Sequence, residues 1–235
     1  MSVISGHADG SRPAFLRSFD VRQWSNDQMR LVAPSLRSCR SIVNVSGWRD
    51  ADKEGGFYRE YFPWATRYEL TNHPKDLKKG VETGSGIPLD LDEDMPDGLA
   101  GTFDLALNHT VLEHVRHPWR AFASICRLAS RAVLTVVPFK QALHFEPGNF
   151  GDYHRFTPLA MRDLHAANGM TVVYEACSRP GNSVYLFYIG VRQPGEFAEI
   201  SPQLLSLEQL NHRLGDFSAT DLALRLVARA LRKIT

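Results

Sequence analysis

The chain has few cysteines, no excess charge of either sign, no long hydrophobic run and no glycine-rich turn of the kind that wraps a pyrophosphate. Cys39, Cys126 and Cys177 are widely spaced, odd in number and without a CxxC pair. A disulfide framework is therefore not expected, and reduced thiols point to the cytoplasm. Lys and Arg number 27 against 26 Asp and Glu, so no basic field recruits nucleic acid and no acidic excess marks a solvated tail. The apolar runs around 132–139 and 184–191 are too short for a membrane span. The start MSVISGHADGSRPAF lacks the basic and apolar blocks of a signal peptide. A soluble protein is expected.

What the chain does have is material for one sizeable core: 235 residues, 43% of them hydrophobic. Residues 1–14 lack periodicity and are expected to be mobile, 15–193 to form an α/β domain with an N-terminal covering helix, and 194–235 to form a helical extension. Apolar spacing predicts a helix over 21–36. SIVNV at 41–45, RYELTN at 67–72, GIPLDL at 86–91 and FDLALNH at 103–109 read as strands. A helix follows over 117–130, then the continuous apolar strand RAVLTVVPF at 131–139. Thr157, Pro158 and Gly169 mark the start and stop of another helix. MTVVYEACS and NSVYLFYIGVRQ, joined by RPGN, predict an antiparallel pair. From 205 onward two amphipathic helices are expected, broken at Gly215. The second carries Arg225, Arg229, Arg232 and Lys233 and covers the sheet or a second subunit, so a homodimer is one expected arrangement. Strands alternating with helices imply a largely parallel sheet.

The stretch FDLALNHTVLEHVRHP places histidines and a glutamate where a buried strand ends, and open α/β sheets bind ligands beyond the carboxyl ends of their strands. Val111-Leu112-Glu113-His114-Val115 is followed by Val137-Pro138-Phe139, by His144, and by Asp152-Tyr153-His154-Arg155-Phe156-Thr157. In that order and spacing the chain, over roughly 41–191, resembles the class I methyltransferases that use S-adenosylmethionine, in the branch with the LEHV motif. The resemblance implies a Rossmann-like, seven-stranded, mostly parallel sheet with an antiparallel last strand and helices on both faces. It also implies S-adenosylmethionine as cofactor and a small-molecule acceptor, such as a sugar, glycan or natural-product precursor. Carried onto this sequence, it gives cofactor contacts at Val45, Ser46, Gly47, Asn72, Asp90, Leu91, Asn108, His109 and Thr110. Tyr153, His154 and Arg155 would line the acceptor side, and His114 and His144 are the candidate bases.

Two departures bear on activity. VNVSGWRD offers only Gly47 after the first strand, and the second strand ends in Asn72 where the family carries a carboxylate for the ribose hydroxyls. An amide there forgoes a charge-assisted pair worth about 1–3 kcal/mol. An inactive scaffold of the same fold is therefore the rival expectation. A nicotinamide enzyme ranks behind both for want of its glycine fingerprint. Each residue also has a plainer role. Gly47 serves either close cofactor approach or a turn. Glu69 lies on the opposite strand face from Asn72. His114 either accepts a proton or bonds a backbone group and orders its loop. Arg155 either meets an anionic substrate or pairs with Asp152 or Glu146. His109, His114 and His117 show no recognised ligand spacing with a cysteine or carboxylate, so no metal is expected.

Overall fold

The computed structural model describes residues 20–78, 86–180, 182–200, 203–210 and 214. Helix α1 (Val21–Val32) starts because the Asp20 carboxylate accepts from the backbone N–H groups of Arg22 and Gln23. It tightens into a 3-10 turn over Ala33–Leu36, where Pro34 cannot continue the α ladder. The periodicity through Leu36 thus survives while the helix type changes.

Strands β1 (Ser41–Asn44), β2 (Arg67–Asn72), β3 (Ile87–Pro88), β4 (Phe103–His109), β5 (Ala129–Lys140), β6 (Thr171–Cys177) and β7 (Val184–Val191) form one sheet in the order β3-β2-β1-β4-β5-β7-β6. The pairings from β3 to β5 are parallel, and β7 runs antiparallel between β5 and β6. The RPGN hairpin therefore inserts its second strand next to β5. Helices α2 (Pro74–Lys78), α3 (Pro118–Leu128), α4 (Pro158–Ala167) and α5 (Leu207–Leu210) complete the named elements.

Strand alternation sorts the side chains onto two faces. Val43, Ala106, Val133 and Val137 pack with Phe122 and Ile125 of α3 and Met161 and Leu164 of α4. Ile42, Leu105, Leu107, Leu134 and Val136 pack with Met29, Val32 and Leu36 on the other face. Full burial of a side chain such as Phe122 contributes roughly 1.5–3 kcal/mol. The same alternation sends Asn108 toward the α3 face and His109 toward α1. The Rossmann-like architecture with helices on both faces is as expected.

The connection from β1 to β2 is a polar loop carrying Gly55 and Gly56, with one 3-10 turn over Tyr58–Tyr61. Two local expectations shift. β3 is two residues long. Ala129 and Ser130 begin β5 instead of ending α3. The N-terminal segment 1–14 and the C-terminal helices beyond the Leu207–Leu210 turn lie outside the described residues. Among the described residues no helix is long and apolar enough to cross a membrane.

Candidate functional site

The carboxyl ends of β1, β2 and β4 converge on the loop that follows β1. Its backbone is bound to β2: Ser46 N–H donates to Thr71 Oγ1 at 3.0 Å and Gly47 N–H to the Thr71 carbonyl at 3.2 Å. Trp48 N–H donates to Asn72 Oδ1 at 2.8 Å while Asn72 Nδ2 donates to the Trp48 carbonyl at 3.0 Å. Asn72, buried at the end of β2, is thus a two-pronged clamp on this loop. An aspartate could make only the first of those bonds. A Cβ on Gly47 would meet the Asn44 Cγ at 2.6 Å, so packing of Asn44 alone requires glycine here. Asn44 in turn donates to Asp50, which also accepts from Tyr68 and from the Arg59 backbone and Nε. Ser46, Trp48, Asp50 and Lys53 all have positive φ, a concentration of backbone strain typical of loops held for function. Val45 and Leu91 are buried beside this edge. Asp90 is half-buried, with Oδ2 3.0 Å from His73 Nε2.

At the end of β4, Asn108 is fully buried with Oδ1 unpartnered among the described residues. His109 is buried beneath α1. Ser25 Oγ donates to the Arg22 carbonyl and lies 2.8 Å from His109 Nε2, so Nε2 carries the ring proton and Nδ1 accepts from the Arg22 guanidinium. Burial foremost, and then the Arg22 charge, hold the His109 pKa well below its ordinary value. This histidine is neutral and positions Arg22. Arg22 also donates to Thr110 Oγ1 at 3.0 Å and to the Tyr58 hydroxyl at 3.2 Å. Thr110 sits at φ 50, an unusual conformation for a β-branched residue. Arg22 has no carboxylate partner among the described residues, and its charge is the leading cause that depresses the pKa of Lys53. Arg22 thus reaches this edge without an ion pair of its own, while the exposed Lys53 nearby has the Asp20 carboxylate as a counter-charge. Sequence reasoning passed over Arg22 because it lies on a helix read as a cover; its one signal was an arginine in the first turn, where the helix dipole disfavours it.

Beyond Thr110 the chain turns through Leu112–His114 and meets the segment before α4. Tyr153 N–H and His154 N–H both donate to the Glu113 carbonyl, at 2.7 and 3.3 Å, which joins the LEHV and DYHRFT motifs in space. His114 Nδ1 donates to the Gly151 carbonyl at 2.6 Å. The backbone bond and the proton-accepting role are thus compatible: Nδ1–H is fixed and Nε2 keeps its lone pair. Burial lowers the His114 pKa, partly opposed by that carbonyl. The His144 ring stands edge-on to His114 with centroids 4.7 Å apart. Asp152 accepts from His144 N–H at 2.9 Å and forms a two-point ion pair with Arg155, whose hydrogen bond leads in lowering the Asp152 pKa to about 2. Arg155 also donates to the Gln141 and Ala142 carbonyls, so it builds the loop that carries His144. Tyr153 stays half-exposed at the rim, beneath Arg116.

Glu113 is the residue whose role the motif did not disclose. It is fully buried, neither carboxyl oxygen has a hydrogen-bond partner among the described residues, and Oε1 lies 3.8 Å from His114 Nε2. Burial pushes its pKa up to about 8. His117 sits apart at the start of α3, its N–H and that of Arg116 donating to Asp92. Of the three histidines close in sequence only His114 enters the cluster, where it meets Glu113 and His144. The site divides into a cationic half under α1 and a Glu113–His114–His144 half under the loop after β5.

No family model matches the chain, and no curated protein matches it. Solved structures do. An S-adenosylmethionine-dependent methyltransferase from Mesorhizobium loti superposes with a TM-score of 0.51 at 15% identity, over 73% of this chain and 98% of its own. The N-terminal domain of EvdMO1 with bound S-adenosylhomocysteine gives 0.51 at 16% identity, over 76% and 84%. Magnesium protoporphyrin IX methyltransferase from Synechocystis PCC 6803, also with S-adenosylhomocysteine, gives 0.50 at 13%, over 73% and 83%. The chain has the class I methyltransferase fold.

Proposed function

We propose that the chain is an S-adenosylmethionine-dependent methyltransferase acting on a small molecule, with a sugar, glycan or natural-product precursor as the acceptor class. The observation that carries this reading is Arg22, held by His109 and Thr110 at the carboxyl end of β4 without an ion pair among the described residues. A methionyl carboxylate is the anion that fits it. The buried, unpartnered Asn108 Oδ1 supplies an acceptor for a donor on the same ligand. Asn72 Oδ1 keeps one lone pair beyond the Trp48 bond for a ribose hydroxyl, and Asp90 stands as acceptor for the adenine amino group. Val45, Ser46, Gly47, Leu91, His109 and Thr110 shape the pocket without offering charge.

When bound, the cofactor supplies an electrophilic methyl carbon on a sulfonium. This chain's residues align an acceptor against it, and alignment supplies most of the acceleration in a direct displacement. His114 Nε2, whose lone pair is free, would take the acceptor's proton as the methyl group passed to the acceptor's oxygen or nitrogen and the carbon–sulfur electron pair stayed with sulfur. His144 backs that ring, and Tyr153, His154 and Arg155 frame the acceptor's entry. Incubation with methyl-labelled S-adenosylmethionine and a panel of hydroxylated and amino acceptors tests the reading: labelled product and S-adenosylhomocysteine should appear in equal amounts. If the double replacement of His114 and His144 by alanine leaves turnover intact, the proton-acceptor assignment is wrong and alignment suffices.

A further inference from the structure

We infer that Glu113, His114 and His144 form a binding site for a divalent transition-metal ion of the zinc, cobalt or iron class. One ligand atom from each residue lies within 4.8 Å of the others. Two imidazoles and a carboxylate are a donor set that such borderline ions prefer, and they leave a coordination position open. Magnesium and calcium prefer oxygen ligands.

Three features make this more than a chance cluster. Glu113 is fully buried, and both of its oxygens lack partners among the described residues. A buried carboxylate in that condition is costly unless a cation or donor meets it. The His114 ring is already held for ligation, because its Nδ1–H is taken by the Gly151 carbonyl and Nε2 faces Glu113. Metal-bound histidines are commonly oriented in this way by a carbonyl on the other nitrogen. For His144 the neighbours of Nδ1 that can give such support are the Asp152 carboxylate and the Gln141 amide. Gln141 Nε2 lies 3.2 Å from His144 Nδ1 while Gln141 Oε1 is buried without a partner. Exchanging the amide oxygen and nitrogen would let Nδ1–H donate to Oε1 and leave the Nε2 lone pair for an ion, with the amide nitrogen then in the buried position the oxygen now holds. Asp152 stands 3.5 Å from His144 Nδ1 and pairs with Arg155.

Tetrahedral coordination at bond lengths of about 2.1 Å sets ligand atoms roughly 3.4 Å apart. Glu113 and His114 are already near that separation. Closing the rest requires His144 to move by about an ångström, and it sits on the loop after β5. The site does not depend on cofactor binding. With an ion in place, however, an acceptor hydroxyl in the open position would be made acidic by the metal, and His114 would no longer take its proton.

The test is titration of chelator-stripped protein with Co(II), read by its visible absorption and by calorimetry, with Mg(II) as the control and S-adenosylhomocysteine titrated separately. The inference expects one Co(II) per chain at a Kd of about 10 μM or tighter. It expects no comparable Mg(II) binding, and a loss of about 100-fold in affinity for each of Glu113→Gln, His114→Ala and His144→Ala. Equal Co(II) binding by the native chain and all three variants, or no Co(II) binding by the native chain, overturns it. Glu113→Gln removes a buried carboxyl without changing its shape, so it keeps the test open if either histidine variant fails to fold. Binding of S-adenosylhomocysteine without any binding of Co(II) would sink the metal site and leave methyl transfer standing. The converse would do the opposite.

Discussion

Replacing Glu113 by glutamine should change the pH dependence of stability in a direction set by burial. In the folded chain the carboxyl keeps its proton up to about pH 8, whereas in the unfolded chain it ionises near 4.3. Between those values the unfolded state binds fewer protons than the folded one, so stability falls as pH rises through that window. Each pH unit crossed there costs about 1.4 kcal/mol, which gives an upper figure of about 3 kcal/mol between pH 5 and 7.5. Relaxation of the loop after β5 to admit water would reduce this to about half. Glutamine has the shape of the neutral acid and does not titrate. Urea unfolding of both proteins at pH 5, 6 and 7.5 with chelator present should therefore show a stability advantage for Glu113→Gln that grows by about 1.5–3 kcal/mol from pH 5 to pH 7.5. A constant difference at all three pH values would mean that Glu113 is solvated or partnered in solution, and the reasoning about its burial would fail.

The other half of the site gives a prediction on affinity. Arg22→Met keeps the aliphatic packing but removes the cation, and should weaken binding of S-adenosylhomocysteine by at least tenfold in calorimetry while leaving the fold intact by circular dichroism. Asn72→Asp should destabilise the chain by about 1–3 kcal/mol at pH 7 in urea unfolding, because the bond to the Trp48 carbonyl is replaced by two facing oxygens. Gly190→Ala should be among the most damaging small substitutions. Its Cβ would overlap His165 Cδ2 in a buried layer, so a loss of about 1–3 kcal/mol or more is expected from thermal or urea melts. Asp152→Asn should cost about 2 kcal/mol at pH 7 and flatten the acid limb. The Asp152 pKa near 2 contributes stability that is present above the ordinary carboxylate range and is lost as pH falls through it.

Much of the fold was legible because its strands are buried on both faces and read as continuous apolar runs. The β5 and β7 segments are of this kind, and the turn chemistry after Cys177 indicated the antiparallel pair. What was not legible is where tertiary contacts replace local pattern. The link between β1 and β2 is held by Asp50, Asp52 and Asn72 binding backbone groups, and no periodicity announces such a link. At the site, the motifs located Glu113, His114 and His144, but spacing drew attention to His109 and His117. The first of these is buried under α1 and the second opens α3. His144 joins His114 only because Asp152 and Arg155 fold the loop back, and that pairing is a three-dimensional fact. Arg22 was invisible for a similar reason, since its importance lies in the carboxylate it lacks.

The most direct measurement is isothermal titration of the purified chain with S-adenosylmethionine and S-adenosylhomocysteine. Binding of either ligand in the micromolar range, about −8 kcal/mol, and its loss in Arg22→Met, is the result expected if the carboxyl edge is a working cofactor site. No heat, together with no thermal shift at millimolar ligand, would contradict it and leave a methyltransferase fold put to another use.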